Sequence, residues 1–374
     1  MPLIDDEGNL FGVVNVIDAL AVALLLAVFV AGIAFVGVLG SDGEPETKYA
    51  TIDLGGQPDY VVERVSEGDT ITVDGSSNNF TITDVYVTPS NGKAIRNRTQ
   101  VRVRAEIHGE TVQLEDQEEP QFQFAGEPLQ VGNDMRVATN NYSATGRVTS
   151  LDPKGKTLTT AETPVLLETT ISERTADRIA AGDTVTVGSQ TVATVTNVQL
   201  YPAGGDQFRA FVGAELRTLQ RGSAPMYAGR KVTVESQISM SPDGYDLTAA
   251  VVRRGADQEI GDLTTIDAEI KLENIPPEVA DEFQTGMTES IRSETLVTIE
   301  SVESEPAEIV LESEDGDIYL REHPKNKDVT LSVTLRTRQT DTGLRFYGDS
   351  LQTGDTVVLD FGTTRAAGTV TNIG

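Results

Sequence analysis

GDTITV, residues 68–73, has the form of a glycine–aspartate turn that opens a strand. The chain writes it again as GDTVTV at 182–187 and GDTVVL at 354–359. The flanks show that this is repetition of a larger unit. RVSEGDTITV begins at Arg64 and RIAAGDTVTV at Arg178, while ITDVYVTP ends at Pro89 and VTNVQLYP at Pro202, giving offsets of 114 and 113. Matched spacing across two separated blocks is the signature of an internal repeat. A third copy carries a changed turn: TADRIAAGDT at 175–184 matches VADEFQTGMT at 279–288, with Met287 at the aspartate position. Pro202 and Pro306 keep the same offset of 104. FAGEPLQVG at 124–132 matches FYGDSLQTG at 346–354 with offset 222, which GRVTSL at Gly146 and GTVTNI at Gly368 share; the second unit supplies YAGRKVTV at 227–234. Three units follow, 49–152, 163–255 and 264–374.

Each unit also divides in two. The turn at Gly354 belongs to a second half, those at Gly68 and Gly182 to first halves. Both halves run as glycine turn, alternating strand, loop and second strand, which suggests an internal pseudo-twofold. Period-two alternation predicts half-buried antiparallel strands. Short helical patches interrupt them, such as PPEVADEFQ at 276–284, with proline at the first helical turn. The expected fold class is mainly β: one N-terminal transmembrane helix, then three tandem small β-barrel-like domains with short helices. Barrel closure removes exposed edges; flat sandwiches are the alternative.

The expected layout is a short polar arm at 1–12, an anchor helix at 13–40, a linker at 41–48 and then the three repeats. Residues 19–40 read ALAVALLLAVFVAGIAFVGVLG without a charge. About 20 such residues cross a bilayer core of about 30 Å. A cleaved signal peptide fits poorly, because the flank MPLIDDEGNLFG lacks the basic residues of such leaders. A short N-terminal arm before a long β-rich remainder predicts a signal anchor in the cell membrane with the β-domains outside. The first basic residue, Lys48, follows the span and points weakly the other way. Asp18, beside Asn15, reads as an interfacial carboxylate at the helix N-terminus. Ala19, Ala23, Ala27 and Ala31 form a small-residue ridge through which the helix is expected to self-associate in lipid.

Of 374 residues, 58 are acidic and 29 basic, for a formal net charge of -29. Nothing resembles the basic patch that displaces counterions from phosphates, so nucleic acid is not an expected partner. Hydrophobic residues still make up 38%, so the acid is carried by folded segments and not by a disordered tail. A uniformly acidic folded chain resembles haloarchaeal proteins, whose surface carboxylates are screened in molar salt. There is no cysteine, which excludes disulfides and thiolate metal sites.

No catalytic, cofactor-binding or metal-ligating residue is expected. His108 and His323, the two histidines, fall in different repeats without a ligand pattern. Asp69, Asp183 and Asp355 read as turn formers whose side chains bond their own backbone. The acidic stretches LEDQEEP (114–120) and ESEDGD (312–317) lack the spacing of a calcium loop. Three N-x-S/T acceptors, Asn79, Asn97 and Asn141, lie in the first repeat as candidate glycosylation sites.

The N-terminal stretch DDEGNLFGVVNVIDALAVALLLAV, residues 5–28, resembles the membrane proteins of domain-of-unknown-function family 4330, through Asp6, Gly8, Leu10, Phe11, Gly12, Asn15 and Asp18. The resemblance implies a single span leading into a β-rich domain, and no established activity. The basic residue usual near the Phe-Gly pair is absent here. The expected function is a non-enzymatic, single-pass envelope protein that displays three β-domains as an interaction or spacer module. Its partners would be the bilayer, other copies of itself and an envelope protein or polysaccharide. The alternatives are an accessory subunit of a secretion or polymer-export assembly, or a pilin-like filament subunit.

Overall fold

The computed structural model describes residues 9–10, 14–15, 43–72, 78–89, 98–113, 119–221, 224–312 and 318–374. Residues 19–40, with Ala19, Ala23, Ala27 and Ala31, lie outside them, as do Asp18 and Asn97. Among the described residues no helix is long and apolar enough to cross a membrane. Val14–Asn15, the start of the expected anchor, pairs antiparallel with Asn9–Leu10.

The chain is mainly β, as three similar half-barrel sheets in tandem. The second shows the plan. Its strands lie in the order Thr184–Val187, Gln190–Gly204, Gln207–Arg221, Thr160–Ser172, Leu247–Arg254, Gln237–Met240, with the hairpin Ala224–Tyr227 and Arg230–Lys231 extending from the third. The first sheet repeats that order with Thr70–Thr72, Asn79–Pro89, Arg98–Val112, Glu44–Pro58, Ser143–Asp152 and Asp134–Ala138. The third repeats it with Thr288–Ile291, Glu294–Glu312, Ile318–Thr340, Asp262–Ile275, Arg365–Ile373 and Thr356–Asp360. By packing, residues 1–86 with 101–158 form one unit, and 87–100 with 159–374 form another.

Alternation places the core. Along Ser143–Asp152 the first six residues alternate exposed and buried, as expected of strands with one face covered. The helical patches shrink to single turns, Asp59–Val62, Glu173–Ala176 and Pro277–Ala280, each burying one apolar residue. Pro277 opens the last of them at a position that needs no N–H.

Among the described residues this turn occurs six times, twice per repeat, with one hydrogen-bond pattern, five times on glycine and once on Glu235. Gly68 N–H donates to the Ile82 carbonyl at 2.8 Å, and Ile82 N–H donates back to the Asp69 carbonyl at 2.9 Å. The same exchange links Gly132 to Val148, Gly182 to Val195, Glu235 to Val251, Gly286 to Ile299 and Gly354 to Val370. The next side chain caps the turn. Asp69, Asn133, Asp183, Ser236 and Asp355 each accept the backbone N–H three residues earlier, at 2.7–3.1 Å. At Met287 the sulfur takes that place at 3.2 Å.

The turn glycine has a positive φ, 88° at Gly68 and 96° at Gly182, where an L side chain is strained. Glu235 holds the equivalent place at φ 70°. A Cβ on Gly182 would meet nothing within 4 Å, so backbone strain alone sets its cost. Gly182→Val is therefore expected to destabilise the second repeat by about 1–3 kcal/mol. Glu235→Gly should stabilise the same repeat by about 1 kcal/mol. Calorimetry on the two variants would refute the shared-turn account if both moved the melting in the same direction.

Candidate functional site

Among the side chains that depart from plain sheet packing, two sets bear on the turns and on the third repeat. The first extends the turn aspartates beyond their expected role. Tyr142 Oη donates to Asp69 Oδ2 at 2.8 Å and Tyr245 Oη to Asp183 Oδ2 at 2.7 Å, tying the first half of each repeat to the second. Burial, then the aspartate, pushes each phenol's pKa up and keeps it a donor. In the third repeat Met287 and Thr364 stand at these places, and the Thr364 hydroxyl donates to Glu282 instead. Asp183→Asn retains an oxygen for both donors, so a loss below about 1 kcal/mol is expected, with or without calcium. A calcium-dependent loss would make the turn an ion site. Among the described residues no group of acidic or histidine side chains is arranged to hold a metal.

The second set marks the third repeat. Three residues after each turn residue lies an inward-facing position, held by Ile71, Met135, Val185, Ile238 and Val357 in five of the six turns, each at most 9% exposed. The sixth is Glu289, 2% exposed. Its carboxylate accepts Tyr347 Oη at 2.6 Å and Asp360 N–H at 3.0 Å. Tyr347 is itself a substitution: the tight turns Ala125-Gly126 and Ala228-Gly229 carry alanine where Tyr347-Gly348 carries tyrosine, at φ 52°. The turn itself imposes this φ, since Ala125 and Ala228 share it at 54° and 49°, and a non-glycine residue there pays about 1–2 kcal/mol. Burial pushes Glu289 up to about 7, and the Asp360 charge adds to this. The hydrogen bonds from Tyr347 and Asp360 N–H, and the charge of Arg365, oppose it.

Tyr347 also faces the second repeat. Its ring lies 5.6 Å from that of Tyr201, stacks on Phe346 at 3.7 Å, and its carbonyl accepts Arg209 Nη1 at 3.2 Å. Arg209 bonds Glu168 at 2.7 Å and Asp349 at 2.7 Å, and lies over the Phe211 ring. Tyr201 Oη donates to Glu259 Oε2 at 2.9 Å; Arg338 Nε stands 3.5 Å from that oxygen, an ion pair without an aligned hydrogen bond. Burial pushes Glu259 up as well, against Tyr201 and Arg338. Leu166, Tyr201 and Phe211 join the core of the third repeat, so the outer face of the second sheet is part of its neighbour's interior. Arg292 of the third repeat also reaches the second, donating to the carbonyls of Ala176 and of Ile179, the latter at 2.5 Å. A cleft of about 360 Å³ beside this seam is lined by Arg209, Arg365, Asp349, Asp355 and Asp360.

The two histidines and the candidate glycosylation sites fall elsewhere. His108 Nδ1 pairs with the Thr47 hydroxyl at 2.9 Å, and His323 Nδ1 accepts the N–H of Asn326 at 2.7 Å. Asn79 and Asn141 are exposed, the latter in a turn where its carbonyl accepts Arg64. Most of each acidic stretch lies outside the described residues.

Fold and seam together define a tandem β-repeat protein whose second and third repeats share a core. The family model for Domain of unknown function (DUF4330) matches residues 1–152 and 251–374, and the chain belongs to that family. The matched stretches contain the first and third sheets, and most of the second lies between them. No curated protein and no solved structure matches the chain.

Proposed function

We propose that this chain is a non-enzymatic, single-pass, membrane-anchored envelope protein whose three β-domains, closed as small barrels, stand outside the cell as an interaction or spacer module. The observation that carries the reading is the seam between the second and third repeats. An aromatic pair at 5.6 Å across the seam and an arginine shared by three acceptors hold two folded units as one body, which is what a spacer requires. Each such aromatic pair adds about 0.5–1.5 kcal/mol beyond its buried area. The apolar stretch 19–40 supplies the anchor, and Ala23 and Ala27 supply a surface on which copies of the helix pack. An envelope protein or polysaccharide is the partner that fits an external, acidic, repeated surface.

Protease added to intact cells tests the placement. Digestion should remove residues of all three repeats and leave a membrane-bound N-terminal fragment. Full protection of the repeats in intact cells, with cleavage after lysis, would reject the external placement.

A further inference from the structure

The third repeat places a carboxyl group where five equivalent positions hold apolar side chains, and ties it to the residue that bridges to the second repeat. We propose that Glu289 and Tyr347 form a proton-operated latch on the joint between the second and third repeats, closed when Glu289 is protonated and loosened when it is ionised.

The geometry gives the latch its two ends. Glu289 holds the Tyr347 phenol from inside the third repeat, while Arg209 of the second repeat holds the Tyr347 carbonyl and Tyr201 packs against its ring. The groups facing Glu289 are the Tyr347 phenol from the tight turn, Asp360 at the end of Thr356–Asp360, and Arg365 at the start of the last strand. Asp360 repels an ionised Glu289 and Arg365 attracts it. Protonated, Glu289 keeps an oxygen for the tyrosine and places no charge in the core. Ionised, it holds its two donors more strongly, but they fill only about half of the roughly four acceptor sites of a carboxylate that is 2% exposed, and burial outweighs them: the remainder must come from water admitted beside Tyr347. With the carboxyl pushed up to about 7, the ionised fraction rises from about 3% at pH 5.5 to about 97% at pH 8.5. This inference concerns the joint alone and holds whichever side of a membrane the repeats occupy.

The absence of cysteine allows a direct test. Thr191→Cys and Asp341→Cys, both at exposed positions, take one spin label in each repeat of the full chain in detergent. Pulsed dipolar spectroscopy should give one narrow distance at pH 5.5 and a broadened or displaced distribution at pH 8.5, with a midpoint near 7. Glu289→Gln keeps the shape and one of the two acceptor oxygens but cannot ionise, so its distance distribution should be the same at both pH values. An unchanged distribution in the parent would overturn the latch. So would a pH response that survives in Glu289→Gln.

Discussion

Gly348→Val is expected to separate the third repeat from the second and to cost about 2–5 kcal/mol. Two independent penalties add. Gly348 has φ 87°, where a β-branched residue pays about 1–2 kcal/mol of backbone strain. A Cβ there would also lie 2.6 Å from the Phe211 ring of the second repeat. That ring is not free to retreat, because it packs edge-on to Tyr201 at 5.9 Å and lies under Arg209. Forcing a group into such a site costs about 1–3 kcal/mol. Gly126→Val is the matched control, since it has φ 81° in the equivalent turn and a Cβ there meets nothing within 4 Å. It should show the strain without the clash. Equal losses in the two variants, measured by denaturant unfolding, would mean that the seam contributes nothing.

Glu289→Gln is expected to stabilise the chain at high pH. The folded-state value near 7 lies above the ordinary 4.5, so the folded state holds its proton more tightly than the unfolded one. Stability from this group is therefore fully present below about 4.5, falls as pH rises toward 7, and stays low above it. The shift corresponds to roughly 3 kcal/mol at the plateau. Glutamine removes the ionisation but offers one acceptor oxygen in place of two, so the variant should gain about 2–3 kcal/mol on the parent between pH 4.5 and pH 8.5, on top of a constant offset from the amide. Taking the difference cancels the many other carboxylates. A parent-to-variant difference independent of pH would show that Glu289 does not carry this dependence.

Much of the architecture is legible in the chain because turns leave a local signature. Glycine at positive φ followed by a capping side chain must be adjacent in sequence, so Gly68-Asp69 and Gly182-Asp183 identify themselves, and the shared offsets give the repeats. One turn hides because Glu235-Ser236 has neither the glycine nor the aspartate, although it makes the same bonds. Tyr142 and Tyr245 were not legible as partners of Asp69 and Asp183, since each acts across a gap of 62 or 73 residues. The seam leaves a fainter trace. Val165, Leu166 and Leu167 are three successive apolar residues where alternation should put a polar one, and Leu166 faces the third repeat. Glu289 was readable in principle, because aligning all six turns shows one acid among five apolar residues. Its partner Tyr347 emerges only with the tertiary structure.

The central claim, that the second and third repeats form one body through this seam, is tested most directly by hydrogen exchange in increasing denaturant, followed peptide by peptide on the full chain. Peptides from the strands between Thr160 and Arg254 should lose protection together with those between Asp262 and Ile373, at one denaturant concentration. Loss of protection at two well-separated concentrations would contradict the account.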